Sequence, residues 1–261
     1  MRTWYRLTAW NWYIVRKPWL LVCAVMSVAQ TVALLLSAGG KKGAGIPCDS
    51  LWIESFACFI FAAGYLAVMA VTLRPVLQAQ GKSRGAYTLQ TLPAKRGTVL
   101  LSQIACTALA LCGTIAWQLV LVLVLYWPVT AVSNAAAAKF LLQYTVPHAD
   151  MQLSFVRNMM VRLLLPTTAF GALLLLLLIV APSVLLVCAF FHRGAARFWA
   201  VCMGLMGAGC CFYLLVMQVA VFAERNTYQW GRSMVAILLL LALMALAVVL
   251  ALRSIRRAAW L

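Results

Sequence analysis

Apolar runs long enough to cross a lipid bilayer recur along the chain and constrain its fold more than any other feature. They cover residues 18–38, 51–73, 98–127, 164–191, 198–222 and 233–252, and a spanning helix needs about 20 apolar residues. Hydrophobic residues make up 66% of the chain and charged residues only 10%, whereas a water-facing surface needs roughly a quarter charged residues. The sequence therefore predicts an all-α, polytopic integral membrane protein, a single transmembrane domain (1–261) with six transmembrane helices.

The segment before the first run is basic and rich in aromatic residues. Its Trp and Tyr rings suit the headgroup level of a membrane, and its Arg and Lys side chains suit a cytoplasmic leaflet. We expect residues 1–17 to form an N-terminal interfacial helix along the membrane, which Pro18 breaks before the first span. A short frayed tail with aromatic anchors is the alternative. A cleaved signal peptide competes for residues 18–38, but this run exceeds the about 7–15 apolar residues of a signal core.

The distribution of cations predicts the orientation. Fourteen of the 21 Lys and Arg residues lie in the N-terminus, in the loops after the second and fourth runs, and in the C-terminus. Because cytoplasmic loops have the excess of Lys and Arg, both termini are expected in the cytoplasm. The four acids all fall on the opposite side: Asp49, Glu54, Asp150 and Glu224. The expected location is the cell (plasma) membrane, crossed several times.

Groups for chemistry are scarce. No carboxylate, Lys or Arg lies near the middle of a predicted span, although secondary carriers generally need such groups. The nine cysteines form no C-x-x-C pair, and the two histidines and four acids are dispersed. We therefore expect no enzyme, no cofactor or metal on this chain, and no nucleic-acid partner, since no soluble basic module exists. Gln30, Gln103 and Gln118 fit either a substrate path or hydrogen bonds between helices.

The longest polar and basic interruption lies between the second and third runs. Residues 81–103 read GKSRGAYTLQTLPAKRGTVLLSQ, and no acid occurs from residue 74 to 103. A cationic loop between two spans should stay in the cytoplasm. A second polar stretch, residues 128–163, is predicted to form an outer-surface segment with one or two short helices around Pro147 and Asp150.

The basic loop has a distinctive order of residues: a basic residue and a glycine, then Tyr-Thr-Leu, then Leu-Pro-x-x-Arg leading into the next span. These residues are Arg84, Gly85, Tyr87, Thr88, Leu89, Leu92, Pro93 and Arg96, followed by Val99, Leu100 and Leu101. This order, together with the spacing of spans along all 261 residues, resembles the ABC-2 family of ABC-transporter membrane subunits. The resemblance implies that residues 81–97 are a cytoplasmic coupling loop, whose short helix docks on an ABC ATPase subunit.

By this resemblance, the chain is a permease subunit, most commonly of an exporter, that works with a second copy or a homologous permease. ATP would bind to the separate ATPase. The expected docking residues combine an apolar face with flanking cations: Tyr87, Leu89, Leu92 and Pro93, with Lys82, Arg84, Lys95 and Arg96. An ordinary basic loop that contacts only lipid headgroups is the alternative. The chain departs from the family in its outer region, because residues 224–232 leave little room for a re-entrant element between the last two spans.

A second class of function has the same composition. A membrane scaffold or sensor subunit without transport activity would also lack catalytic groups and would have no ATPase partner. Association with an ATPase distinguishes the two classes.

Overall fold

The computed structural model describes residues 2–41, 43–44, 46–75, 96–139, 150–165 and 169–190, and the single residues Gly209, Ala242 and Val249. The helices in these ranges are α1 (Arg2–Gly39), α2 (Cys48–Glu54), α3 (Ala57–Thr72), α4 (Arg96–Lys139), α5 (Met151–Arg157), α6 (Met159–Leu164) and α7 (Ala169–Phe190). No strand occurs in the described ranges, so the all-α prediction is confirmed for them. The predicted spans at 198–222 and 233–252 lie outside the described residues, apart from the three single positions.

Two helices are long and apolar enough to cross a membrane, namely Trp4–Gly39 with 36 residues and Gly97–Lys139 with 43 residues. At a rise of about 1.5 Å per residue, each is longer than the about 30 Å of a bilayer hydrocarbon core. Two shorter apolar helical stretches are Ala57–Thr72 and Leu175–Val184.

The predicted break at Pro18 is wrong, because residues 2–17 are the first part of α1 rather than a separate helix. Pro128 likewise lies inside α4, which continues twelve residues beyond the predicted end of the third span. A proline removes one backbone hydrogen bond, and contacts on both sides hold the helix to its neighbour. Around Pro18, these contacts are made by Asn11 and by Trp19, whose Nε1 donates to the Ala110 carbonyl over 3.1 Å.

The predicted second span, residues 51–73, is divided into two helices. α2 ends at Glu54 and α3 begins at Ala57. Between them, Phe56 has φ 57°, in the left-handed region that a bulky residue rarely adopts. Leu51 and Trp52 are fully buried in α2, and this burial competes with continuation of a straight helix. Glu54 is an exposed residue at the end of α2.

Of the segment predicted at residues 128–163, residues 128–139 belong instead to α4, and the expected short helices occur at α5 and α6. The outer-surface location of this segment stays a prediction. Asn158 precedes α6, and its side chain accepts a hydrogen bond from the Met160 amide over 2.9 Å. This is the arrangement of a helix N-cap. Asp150 precedes α5 without such a bond, and Pro147 and His148 lie outside the described residues. α2, α5 and α6 pack on one another, and we call them the short-helix cluster.

The chain divides into two compact units. Unit one contains residues 1–19, 68–112 and 170–261, and unit two contains residues 20–67 and 113–169. Within unit one, α1 and α4 run parallel: Asn11 bonds Ser102 and Trp19 bonds Ala110, each across 91 residues of sequence.

Unit two has the same parallel packing. Trp117 Nε1 donates to Ser27 Oγ over 2.8 Å, and Ser133 Oγ donates to the Gly43 carbonyl over 3.1 Å, both across 90 residues. α3 instead runs antiparallel to α1. Gln30 of α1 bonds the Ala57 carbonyl, whereas Met26, one turn earlier in α1, lies against Gly64, two turns later in α3.

Candidate coupling site and buried polar residues

The predicted coupling loop falls mostly outside the described residues. Its candidate residues there are Lys82, Arg84, Tyr87, Leu89, Leu92, Pro93 and Lys95, and their docking role stays a prediction. Arg96 is the first residue of α4. The last complete helix that the structure describes before this loop is α3, and the first that it describes afterwards is α4.

Near the start of α4, a buried polar cluster joins this helix to α1 within unit one. Asn11 Nδ2 donates to Ser102 Oγ over 3.2 Å, and Gln103 Nε2 donates to Asn11 Oδ1 over 3.2 Å. Ser102 Oγ in turn donates to the Val99 carbonyl over 2.7 Å. Asn11, Ser102 and Gln103 are 3%, 0% and 2% exposed, and we call these three residues the amide cluster. Both ends of the Asn11 amide are paired, which a buried amide needs.

The amide cluster decides between the two interpretations of Gln103 that the sequence leaves open. It also contains two polar residues that the sequence did not point to. Gln103 forms a hydrogen bond between helices, as the packing interpretation predicts. Asn11 and Ser102 were not identified from the sequence. The available signal is that Asn11 is the one amide side chain in residues 1–17 and lies one helical turn from both Leu7 and Val15, which are buried apolar residues.

The other two glutamines are fully buried in unit two and differ in their partners. Gln30 Nε2 donates to the Ala57 carbonyl over 3.0 Å, so the packing interpretation also holds there. In Gln118, neither Nε2 nor Oε1 has a hydrogen-bond partner among the described residues. An unpaired buried polar group costs about 1–3 kcal/mol. Gln118 is therefore a destabilising residue within the part of the chain that the structure describes.

A small cleft lies where α2 and α5 meet α4 in unit two. It is lined by Cys48, Val122, Leu123, Tyr126, Met151, Ser154, Phe155 and Asn158, and its empty space is about 200 Å³, including space open to solvent. Ligand pockets usually measure about 300–1,000 Å³, so this cleft is too small for a drug-sized substrate. Burial raises the pKa of the Cys48 thiol to about 11. This cysteine is accordingly a neutral thiol, and not a nucleophile, near pH 7.

The long helices expose apolar side chains. In α1, Leu21 is 65% exposed and Leu36 is 74% exposed, and Val25, Val28 and Val32 lie between them on the exposed surface. α4 exposes Val120 and Val124. Contiguous apolar surface of this kind is rare on soluble monomers and is characteristic of membrane or protein interaction surfaces.

Charged residues differ between the two units. The described charged residues of unit one are all basic: Arg2, Arg6, Arg16, Lys17, Arg74 and Arg96. Three of the four acids of the chain, Asp49, Glu54 and Asp150, belong to unit two.

Within the described ranges, no three His, Cys, Asp or Glu side chains lie close enough together to hold a metal ion. Compared with protein-family models, with curated proteins and with solved structures, the chain matches none of them.

Proposed function

We propose that this chain is the membrane-spanning permease subunit of an ABC transporter that works in export. A separate ABC ATPase subunit drives it by docking on the loop of residues 81–97. The chain is a multi-pass protein of the cell membrane, has both termini in the cytoplasm, and pairs with a second copy or with a homologous permease.

The directions of three apolar helices, the long α1 and α4 and the shorter α3, carry this proposal. α3 runs antiparallel to α1, and α4 runs parallel to it. Helices that cross a membrane one after another alternate in direction in this way. The end of α3 and the start of α4 then belong to the same side of the membrane as the start of α1, which is the side proposed for the ATPase.

Exposure and charge support the membrane assignment. The core helix of a soluble protein is mostly buried, whereas the most apolar part of α1 is only 22% buried. Cations mark the cytoplasmic side of membrane proteins. All the cations of α1 lie in its first half, as a cytoplasmic start of this helix requires, whereas α4 has Arg96 at its start and Lys139 at its end.

The proposed mechanism assigns separate roles to the two subunits. ATP binding closes the ATPase pair and displaces the coupling loop, and α4 transmits the displacement because it follows the loop directly in the chain. Tyr87, Leu89, Leu92 and Pro93 fill an apolar cleft on the ATPase, and the flanking cations fix the orientation. Relative movement of the two permease subunits then opens the path for the exported molecule.

The test is a mild-detergent pull-down of the tagged chain. Tyr87→Asp combined with Leu92→Asp places two charges on the proposed docking face. Leu153→Asp combined with Val156→Asp is the matched control, because both residues are exposed on α5 and belong to the opposite side of the membrane in this proposal. We expect the natural chain and the control to recover an ABC ATPase, and the loop variant to lose it.

Each other outcome has a distinct meaning. Equal recovery by the natural chain and the loop variant would retain the transporter assignment and refute the docking residues. If the natural chain recovers no ATPase from membranes in which it is intact, the transporter assignment fails and a scaffold or sensor role replaces it.

A further inference from the structure

The amide cluster lies close to the point where the proposed force enters the membrane helices. α4 begins at Arg96, and Ser102 and Gln103 follow six and seven residues later, which is about 10 Å along a helix. A displacement of the loop therefore reaches this cluster within two turns of α4.

Asn11 is the residue that links this part of α4 to α1. Its oxygen accepts from Gln103 and its nitrogen donates to Ser102, so one side chain of α1 holds two successive residues of α4. All three side chains are buried, which excludes water as an easy replacement partner. Thr8, the neighbouring polar residue of α1, instead bonds the Trp4 carbonyl of its own helix over 3.0 Å.

The other buried side chains on these parts of α1 and α4 restrict sliding less. They are chiefly small or apolar, including Leu7, Val15, Cys106 and Ala110, and apolar packing has little directionality. A further hydrogen bond in the described parts of α1 and α4 lies outside the amide cluster and also fixes the register of the two helices. It runs from Trp19 to the Ala110 carbonyl. The cluster thus determines how the first turns of α4 are placed against residues 4–17 of α1.

We propose that Asn11 is a positioning residue that makes the N-terminal part of α1 move together with the start of α4 when the ATPase displaces the coupling loop. This inference rests on the proposed function. It extends the coupling machinery from the loop to a residue 70 positions before the loop begins. α1 then takes part in opening the path and is not only a membrane anchor.

The experiment follows amide hydrogen exchange in the permease–ATPase complex, reconstituted in nanodiscs, with and without ATP plus vanadate. In the natural complex we expect exchange to change in residues 97–107 and in residues 4–17. In Asn11→Leu, which removes both cluster bonds, residues 97–107 should still respond while the response of residues 4–17 is lost. Gln103→Leu removes one bond and should give a partial loss.

Gln30→Leu is the matched control, because Gln30 is also a buried amide of α1 with a hydrogen bond to another helix. It lowers stability without touching the amide cluster, so its ATP response should equal that of the natural complex. The inference is overturned if residues 4–17 do not respond in the natural complex, or if they respond in Asn11→Leu and Gln103→Leu as strongly as in the natural complex. Should Asn11→Leu fail to assemble, Gln103→Leu alone decides. A natural chain that recovers no ATPase refutes the proposed function itself, before ATP is added.

Discussion

At the scale of single residues, the buried amides differ in whether their hydrogen-bonding capacity is used. Within the described ranges, Asn11 is paired at both ends, Gln30 at one end, and Gln118 at neither. Polar side chains within apolar helices are commonly retained because they bond a neighbouring helix, each bond contributing about 0.6 kcal/mol and up to about 1.7 kcal/mol. Gln118 lacks that benefit in the described part of the chain.

This difference predicts opposite effects of the same substitution at two positions. Gln118→Leu should raise the free energy of unfolding by about 1 kcal/mol, because it removes an unpaired buried amide. Gln30→Leu should lower it by about 0.5–1.5 kcal/mol, because it removes the bond to the Ala57 carbonyl. Denaturant titration of the purified variants in detergent measures both. A Gln118→Leu variant that is less stable than the natural chain would show that this amide has a partner.

At the scale of elements, α1 and α3 approach closely because position 64 has no side chain. A Cβ built on Gly64 would lie 2.5 Å from Met26 Sδ and 2.9 Å from Met26 Cγ. Small residues allow this approach between membrane helices. The antiparallel α1–α3 contact therefore places a glycine directly against a methionine side chain.

Gly64→Leu should accordingly lower the free energy of unfolding by about 1–3 kcal/mol, the usual cost of overpacking. Adding Met26→Ala should recover part of this loss, since it removes the atoms that the new side chain meets. Ala63→Leu is the control, because Ala63 is exposed on the same helix and should change stability little. Equal losses in Gly64→Leu and Ala63→Leu, or no recovery in the double variant, would contradict the α1–α3 packing.

At the scale of the whole molecule, helix direction and charge together predict the sidedness of the chain. α1 and α4 are parallel in both units, and the described charges of unit one are basic. If α1 begins in the cytoplasm, the segment after α1 lies outside and the segment before α4 lies inside.

Epitope tags inserted in two loops measure this sidedness. A tag between Gly40 and Lys41 should bind antibody on intact cells, and a tag between Gly81 and Lys82 should bind only after permeabilisation. A control tag at the N-terminus should behave like the tag at Gly81. Surface binding at Gly81, or the same accessibility at both loops, would refute the proposed orientation.

Local sequence determined the helical, apolar character of the described segments, because the length of an apolar run and the residues within it are local properties. It also predicted short helices after the long third run, but it left open whether Gln103 and Gln30 face a substrate path or bond a neighbouring helix. The docking residues of the coupling loop and the last two predicted spans stay predictions of the sequence.

The tertiary structure decided what depends on neighbours distant in sequence. Pro18 was expected to end a helix, yet contacts from α1 to α4 on both sides of it outweigh one missing backbone hydrogen bond. The break before α3 arises where burial of Leu51 and Trp52 competes with a straight helix. Asn11 pairs with residues 91 and 92 positions away. No local pattern encodes such a contact, since it exists only when two helices pack in one particular register.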